Sequence, residues 1–173
     1  MLFRSKLLSG ASYCDVGYNS KSPLPSPEKP LGVPWPGNTW CERPDLPNWV
    51  GYLVQKINAQ RKDSPAVLAF DYALGGDAVE GVRRQVHRDF LPHLATRPTW
   101  APWTASDTVF MTWVGINDCA MNAMSSSTTH NPDVSAAASV DGLFALQEEL
   151  YESGARNFCL IDVPPTYKFP PRA

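Results

Sequence analysis

The chain reads as an α/β protein with a parallel sheet covered by helices. Short runs rich in apolar and β-branched residues, Leu2 to Leu8, Ala66 to Ala73, Thr108 to Val114 and Asn157 to Val163, have strand character. Between them lie stretches with apolar residues at helical spacing. Strands alternating with amphipathic helices imply right-handed crossovers and a parallel sheet. Ligands of such sheets bind outside the carboxyl ends of the strands.

Each element has a local reason. Asn48 to Gln60 is a helix that Asn48 can cap, with Trp49, Leu53 and Ile57 on one face. Val79 to Leu91 places Val79, Val82, Val86 and Phe90 at helical spacing, with Arg83, Arg84, Gln85 and Arg88 largely opposite, and Pro92 ends or kinks it. Ala136 to Ser153 is a helix with Gly154 at its C′ position. Met121 to Ser135 is small and polar and reads as a mobile insertion. Ser20 to Pro47 is rich in proline and glycine and carries Trp35 and Trp40. It is either ordered coil packing its tryptophans on the core or a wall of a substrate groove. Arg97 to Thr104 is another loop, with Trp100 and Trp103.

With 173 residues, 43% of them hydrophobic and 18% charged, the chain makes one domain with a real core. A net charge of -2 and no long basic run argue against nucleic acid or an anionic membrane as partner. No apolar run approaches a membrane span. The opening MLFRSKLL is too short and interrupted for a signal peptide. That suggests an intracellular protein or a chain whose true start lies upstream. Cys14, Cys41, Cys119 and Cys159 show no CxxC spacing, so a zinc site is not expected. Cys159 lies in a strand-like run and reads as a buried thiol; the others lie in loops and can be free or oxidised.

Three turns fall just past the carboxyl ends of strands: Gly10-Ala11-Ser12, Gly75-Gly76-Asp77 and Gly115-Ile116-Asn117-Asp118. Gly10, free to take a positive φ, precedes a serine well placed to present its hydroxyl at the rim. A serine attacking an ester carbonyl creates a tetrahedral oxyanion, which aimed hydrogen-bond donors stabilise. The backbone N–H groups of Ser12 and Gly76 and the side-chain amide of Asn117 can supply three such donors. Their convergence on one rim, more than any one turn, points to a site.

GASYCDVGY, DYALGGDAV and WVGINDC resemble the first three sequence blocks of the SGNH hydrolases, also called the GDSL esterase/lipase family. NWVGYL, RPTWAPWT and GARNFCLIDVPPT are similar to fungal members grouped as carbohydrate esterase family 16 acetylesterases. The resemblance covers nearly the whole chain. It implies a three-layer flavodoxin-like fold, with Ser12 as nucleophile and first oxyanion donor, Gly76 rather than Gly75 as the second, and Asn117 as the third. Asp15 matches an acidic position with a structural, hydrogen-bond-accepting role.

Two departures accompany the resemblance. Ala11 stands where the signature has Asp. The family's C-terminal Asp-X-X-His, whose His takes the serine proton, has no counterpart: His87, His93 and His130 read as surface residues, and DFLPH has the wrong spacing and order. The expectation is a single partial domain over residues 1–173, with four strands, the fifth strand and the base missing, an exposed apolar edge, and impaired catalysis. The implied reaction is hydrolysis of small acyl esters, plausibly acetylated sugars, with no metal or organic cofactor. Trp35, Trp40 and Trp103 are candidate sugar-stacking residues. The alternative is a non-catalytic carbohydrate-binding remnant that uses these loops. A nucleotide-binding role ranks behind both, because the Gly75-Gly76 turn lacks a phosphate-binding glycine pattern. By resemblance the protein would be secreted.

Overall fold

The apolar runs lie side by side as parallel strands. The computed structural model describes residues 5–38, 45–61, 63–125 and 135–165. Strands β1 (Ser5–Gly10), β2 (Leu68–Asp71), β3 (Thr108–Trp113) and β4 (Phe158–Leu160) form one sheet in the order β2-β1-β3-β4. Leu8 lies opposite both Asp71 and Met111, and Gly10 opposite Trp113. β1 runs two residues further than the apolar pattern suggests, so Ser9 and Gly10 finish the strand.

The helices are α1 (Trp49–Ala59), α2 (Val79–Gln85), α3 (Ile116–Ser125) and α4 (Ala136–Glu152). A π-helical turn, Val86–Phe90, continues α2. The chain steps one way across the sheet from β1 to β2, then the other way to β3 and β4. Right-handed crossovers therefore put α1 on one face and α2 with α4 on the other, and α2 does touch α4. The reversal leaves a topological switch point between β1 and β3, where open α/β sheets form their ligand crevice.

Local chemistry sets the helix ends. The Asn48 side chain accepts from Val50 and Gly51 N–H at 3.0 and 3.2 Å, and the Ser135 hydroxyl accepts from Ala138 N–H at 3.1 Å. Gly154 closes α4 with φ +106. Helix α3 was missed in the sequence: residues 121–125, read as the start of a mobile insertion, are helical, and 126–134 lie outside the described residues. Ile116, Cys119, Ala120, Ala123 and Met124 recur at helical spacing, but most are small, and the helix starts in the turn that ends β3.

Phe90, Trp103, Phe110 and Phe158 pack ring on ring through the core, at centroid distances of 5.4 to 6.0 Å. Among the described residues β4 is an outer strand with Leu160 exposed, and α4 exposes Val140, Phe144 and Tyr151 nearby. Cys159 is half-buried, as an outer strand dictates, whereas Cys14 is buried and Cys119 exposed; all three are free thiols. No helix among the described residues is long and apolar enough to cross a membrane.

Gly10 owes its identity to space rather than to a left-handed backbone, since its φ is not among the positive ones. A Cβ there would overlap the Trp113 carbonyl oxygen and press on Cys14 Sγ at 3.1 Å. Gly10→Ala is expected to lower unfolding free energy by about 1–3 kcal/mol, from overpacking between β1 and β3, in urea denaturation.

Candidate active site

The three turns are tied together at the switch point by hydrogen bonds among themselves and to the ends of their strands. Ala11 N–H donates to the Trp113 carbonyl at 3.3 Å, joining the first turn to the end of β3. Leu74 N–H donates to the Gly10 carbonyl at 3.2 Å, joining the second loop to β1. Asn117 Nδ2 donates to the Asp77 carbonyl at 2.8 Å, joining the third turn to the second.

Carboxylates reinforce these joints. Asp15 accepts from Gly17 N–H at 2.7 Å and from Gly75 N–H at 2.9 Å, the structural role expected of it. Asp118, buried, accepts from Val79 N–H through both oxygens at 3.2 Å, and from the Ser139 hydroxyl at 3.0 Å. Ala78, at the N-cap position of α2, offers no side-chain acceptor, so Asp118 supplies one from another element. The adjacent Asn117 and Asp118 thus both grip the loop that carries Gly76.

Several donors are left uncommitted. Ser12 is half-buried at the start of a tight turn in which Cys14 and Asp15 N–H both donate to the Ala11 carbonyl. Among the described residues neither its N–H nor its hydroxyl is engaged. Gly75 N–H is taken by Asp15, but Gly76 N–H has no partner among them. Gly76 has φ +87 and open space where a Cβ would stand, so its backbone is accessible. Asn117 spends one amide hydrogen on Asp77 and keeps the other. The residues predicted from sequence therefore share one rim and leave an N–H apiece free.

Behind Ser12 lies an aromatic wall. The Tyr13 ring rests on Trp113 at 4.3 Å, and Trp49 meets Trp113 at 5.6 Å. Burial pushes the Tyr13 hydroxyl up to about 12, and burial also pushes the Cys14 thiol upward, so Cys14 is a neutral core group and no rival nucleophile. Asn48 Nδ2 donates to the Cys14 and Asp15 carbonyls at 2.9 and 3.2 Å, so the cap of α1 also anchors the serine turn.

Two residues matter here that sequence reading missed. Gln85, placed on a polar face by helical spacing, is buried. Its Oε1 accepts from Gly10 N–H at 3.1 Å, and its Nε2 donates to the Gly10 carbonyl at 2.9 Å and to Asp77 Oδ2 at 2.8 Å. Asp71, at the end of β2, is fully buried; one oxygen accepts from Ala73 N–H at 3.0 Å and the other has no partner among the described residues. Burial raises its carboxyl well above the usual range, Ala73 N–H opposes this, and the Asp15 charge adds to it. A lone polar residue in a strand-like run was the available signal.

The candidate tryptophans divide. Trp103 is a correction: it lies in the core before β3, with its Nε1 donating to the Leu94 carbonyl, because an indole flanked by Phe90 and Phe110 gains most by full burial. Trp100, half-exposed, belongs to the same loop at the amino end of β3, away from Ser12. Trp35 is 49% exposed beside the start of α1, in a loop tied to the serine turn by Asn38 N–H donating to the Val16 carbonyl at 2.9 Å. Trp40 and His130 lie outside the described residues. His87 bonds Glu149 of α4 at 2.5 Å, and His93 is exposed past Pro92.

No protein-family model matches the chain. It is 30% identical over 175 residues to an acetylesterase of Thermothelomyces thermophilus, an alignment covering 93% of this chain and 53% of that protein. The chain thus spans about half the length of that relative. Its fold is that of Axe2 from Geobacillus stearothermophilus. One solved variant, described as an acetyl xylan esterase, matches with TM-score 0.54 and 15% identity over 92% of this chain and 59% of that one. A second, described as an acetyl-xylooligosaccharide esterase, gives 0.55 and 16% over 92% and 60%.

Two measurements test the joints. Gln85→Leu leaves Gly10 N–H and Asp77 Oδ2 without their amide partner and is expected to cost about 2–4 kcal/mol in urea denaturation. For Asp71 the folded state holds its proton to higher pH than the unfolded state does, so stability falls as pH rises from about 4, by up to about 1.4 kcal/mol per unit, until the buried group ionises. Asp71→Asn should flatten that part of the stability–pH curve.

Proposed function

We infer that this chain, a member of the SGNH acetylesterase-like family, carries the nucleophile and oxyanion hole of a serine ester hydrolase for acetylated sugars. The observation that supports this best is the set of uncommitted donors, Ser12 N–H, Gly76 N–H and Asn117 Nδ2, held on one rim beside an unengaged serine hydroxyl.

In this reading Ser12 Oγ attacks the ester carbonyl. The carbonyl oxygen becomes an oxyanion that receives hydrogen bonds from the donor set, and the sugar hydroxyl leaves with a proton. Water then attacks the acyl-serine and releases acetate. The donors are fixed before substrate arrives, by Asp15, Asp118 and Gln85, so little reorganisation is needed as charge develops. The half-exposed face of Trp35 is suited to stack on a sugar ring.

The proton on Ser12 needs an acceptor. α2 starts at the rim and leads away from it, so His93 lies roughly 20 Å along the chain's course from Val79, and His87 is paired with Glu149. General-base help, commonly about 10²- to 10⁴-fold, is therefore assigned to a group other than His87 and His93.

With a chromogenic acetyl ester, Ser12→Ala is expected to abolish turnover, and Asn117→Ala to lower kcat about 10²- to 10³-fold with little change in KM. Hydrolysis that survives in Ser12→Ala overturns the assignment of the nucleophile. Quenching of tryptophan fluorescence by xylo-oligosaccharides, with no hydrolysis under any condition, would favour a carbohydrate-binding remnant instead.

A further inference from the structure

Among the described residues β4 bonds to another strand, β3, on one side only. Phe110 N–H donates to the Asn157 carbonyl at 2.8 Å and Ile161 N–H to the Thr112 carbonyl at 3.0 Å, so Asn157 and Ile161 turn toward β3. By the alternation of a strand, Phe158 and Leu160 turn their N–H and C=O groups the other way. These backbone groups have no partner among the described residues. An edge of that kind is a template for another strand. Above it Leu160, Val140 and Phe144, all exposed, border one apolar groove of about 350 Å³.

The sequence across this edge is complementary to itself. A second copy running antiparallel about a two-fold axis at Cys159 sets the partner's Leu160 opposite Phe158 and the partner's Phe158 opposite Leu160. In that register every outward N–H and C=O of the two residues finds a mate, and none is left over. The same register sets Arg156 opposite the partner's Asp162, and Asp162 opposite the partner's Arg156. Both side chains are exposed. Arg156 spends one guanidinium nitrogen on the Tyr151 and Ala155 carbonyls, and Asp162 spends one oxygen on Val163 N–H, so each keeps polar atoms for a cross-strand ion pair. Moving the axis to Phe158 or to Leu160 sets Arg156 against the partner's Leu160 or the partner's Pro164 and breaks both pairs. A partner edge of one sign satisfies only one of the two charges, whereas a copy satisfies both.

We propose that this chain associates as an isologous dimer through β4, joining its sheet to that of a second copy. Leu160, Val140 and Phe144 of each copy then gather beside the axis on one face of the joined sheet. Pro164 and Pro165 lack N–H groups and end the pairing, so the interface is short and the dimer dissociates on dilution. The proposal stands apart from the hydrolase reading.

The experiment is sedimentation equilibrium of the whole chain under reducing conditions, over a range of concentrations. A species of twice the chain mass is expected. Arg156→Asp and Asp162→Arg each bring like charges face to face at both ends of the interface and are expected to weaken association about tenfold. Combining the two substitutions restores the opposite-charge pairs and is expected to restore the dimer, a rescue that a merely structural role of either side chain does not give. A second readout serves if Arg156→Asp does not fold. Cys159 sits on the axis at a non-hydrogen-bonded pair, where the two Cα atoms come about 4.5 Å apart, within disulfide range. Diamide, which takes the electrons and protons of a thiol pair and becomes a hydrazine, is expected to link the copies through Cys159, as read by mass spectrometry of non-reduced peptides. Cys159→Ser is expected to abolish that link. The proposal is overturned by a monomer at every concentration, by a dimer that Asp162→Arg leaves equally tight, or by a link that joins other cysteines and not Cys159. Ser12→Ala is expected to dimerise as the parent does. A failure here therefore leaves the hydrolase reading standing, and loss of ester hydrolysis leaves the dimer standing.

Discussion

The side-chain amide of Gln85 holds the rim together. It accepts from Gly10 N–H and donates to the Gly10 carbonyl at the end of β1, and it also donates to Asp77 in the second loop. β2 stops opposite Leu8, so no strand of that side reaches Gly10 N–H, and a buried backbone group left open is costly. Gln85 fills that place because an amide carries donor and acceptor together. Asp77, fixed in turn by Gln85 and Arg84, presents its carbonyl to Asn117. The positions of Ser12, Gly76 and Asn117 follow from this chain of contacts.

The remaining clamps use the same economy. Asn48 caps α1 and anchors the serine turn with the other end of its amide. Asp118 caps α2 from outside that helix. Asp15 occupies Gly75 N–H, which leaves Gly76 as the accessible donor of the pair. In each case a side chain whose obvious work is local also ties two loops. The free donors are held rigidly because the bonded ones are spent on scaffolding, which is what electrostatic preorganisation requires.

The parallel sheet, its crossovers and most helix limits were legible because they depend on periodicity and caps within short windows. Asn48, Gly154 and the strand of Thr108 to Trp113 are of that kind. Helix α3 was missed, since its stripe of Ile116, Cys119, Ala120, Ala123 and Met124 is made mostly of small residues and runs straight on from the turn after β3. Trp103 misled because an indole in a loop reads alike whether it packs inward or faces solvent. Gln85 read as part of a polar helix face, yet it is buried, as is Asp89 four residues on.

The sequence alone determined the fold class and the three turns, because alternating periodicities admit few topologies and glycine–polar turns past strands are local features. It also pointed to Ser12, Gly76 and Asn117 as one group. Only the tertiary structure decided which N–H groups stay free, that Gly10 is a matter of space against Trp113, and that Asp71 and Asp89 are buried carboxyls. Those properties depend on what residues distant in sequence bring to a shared boundary, and hydrogen-bond satisfaction at a boundary is not written in either stretch by itself.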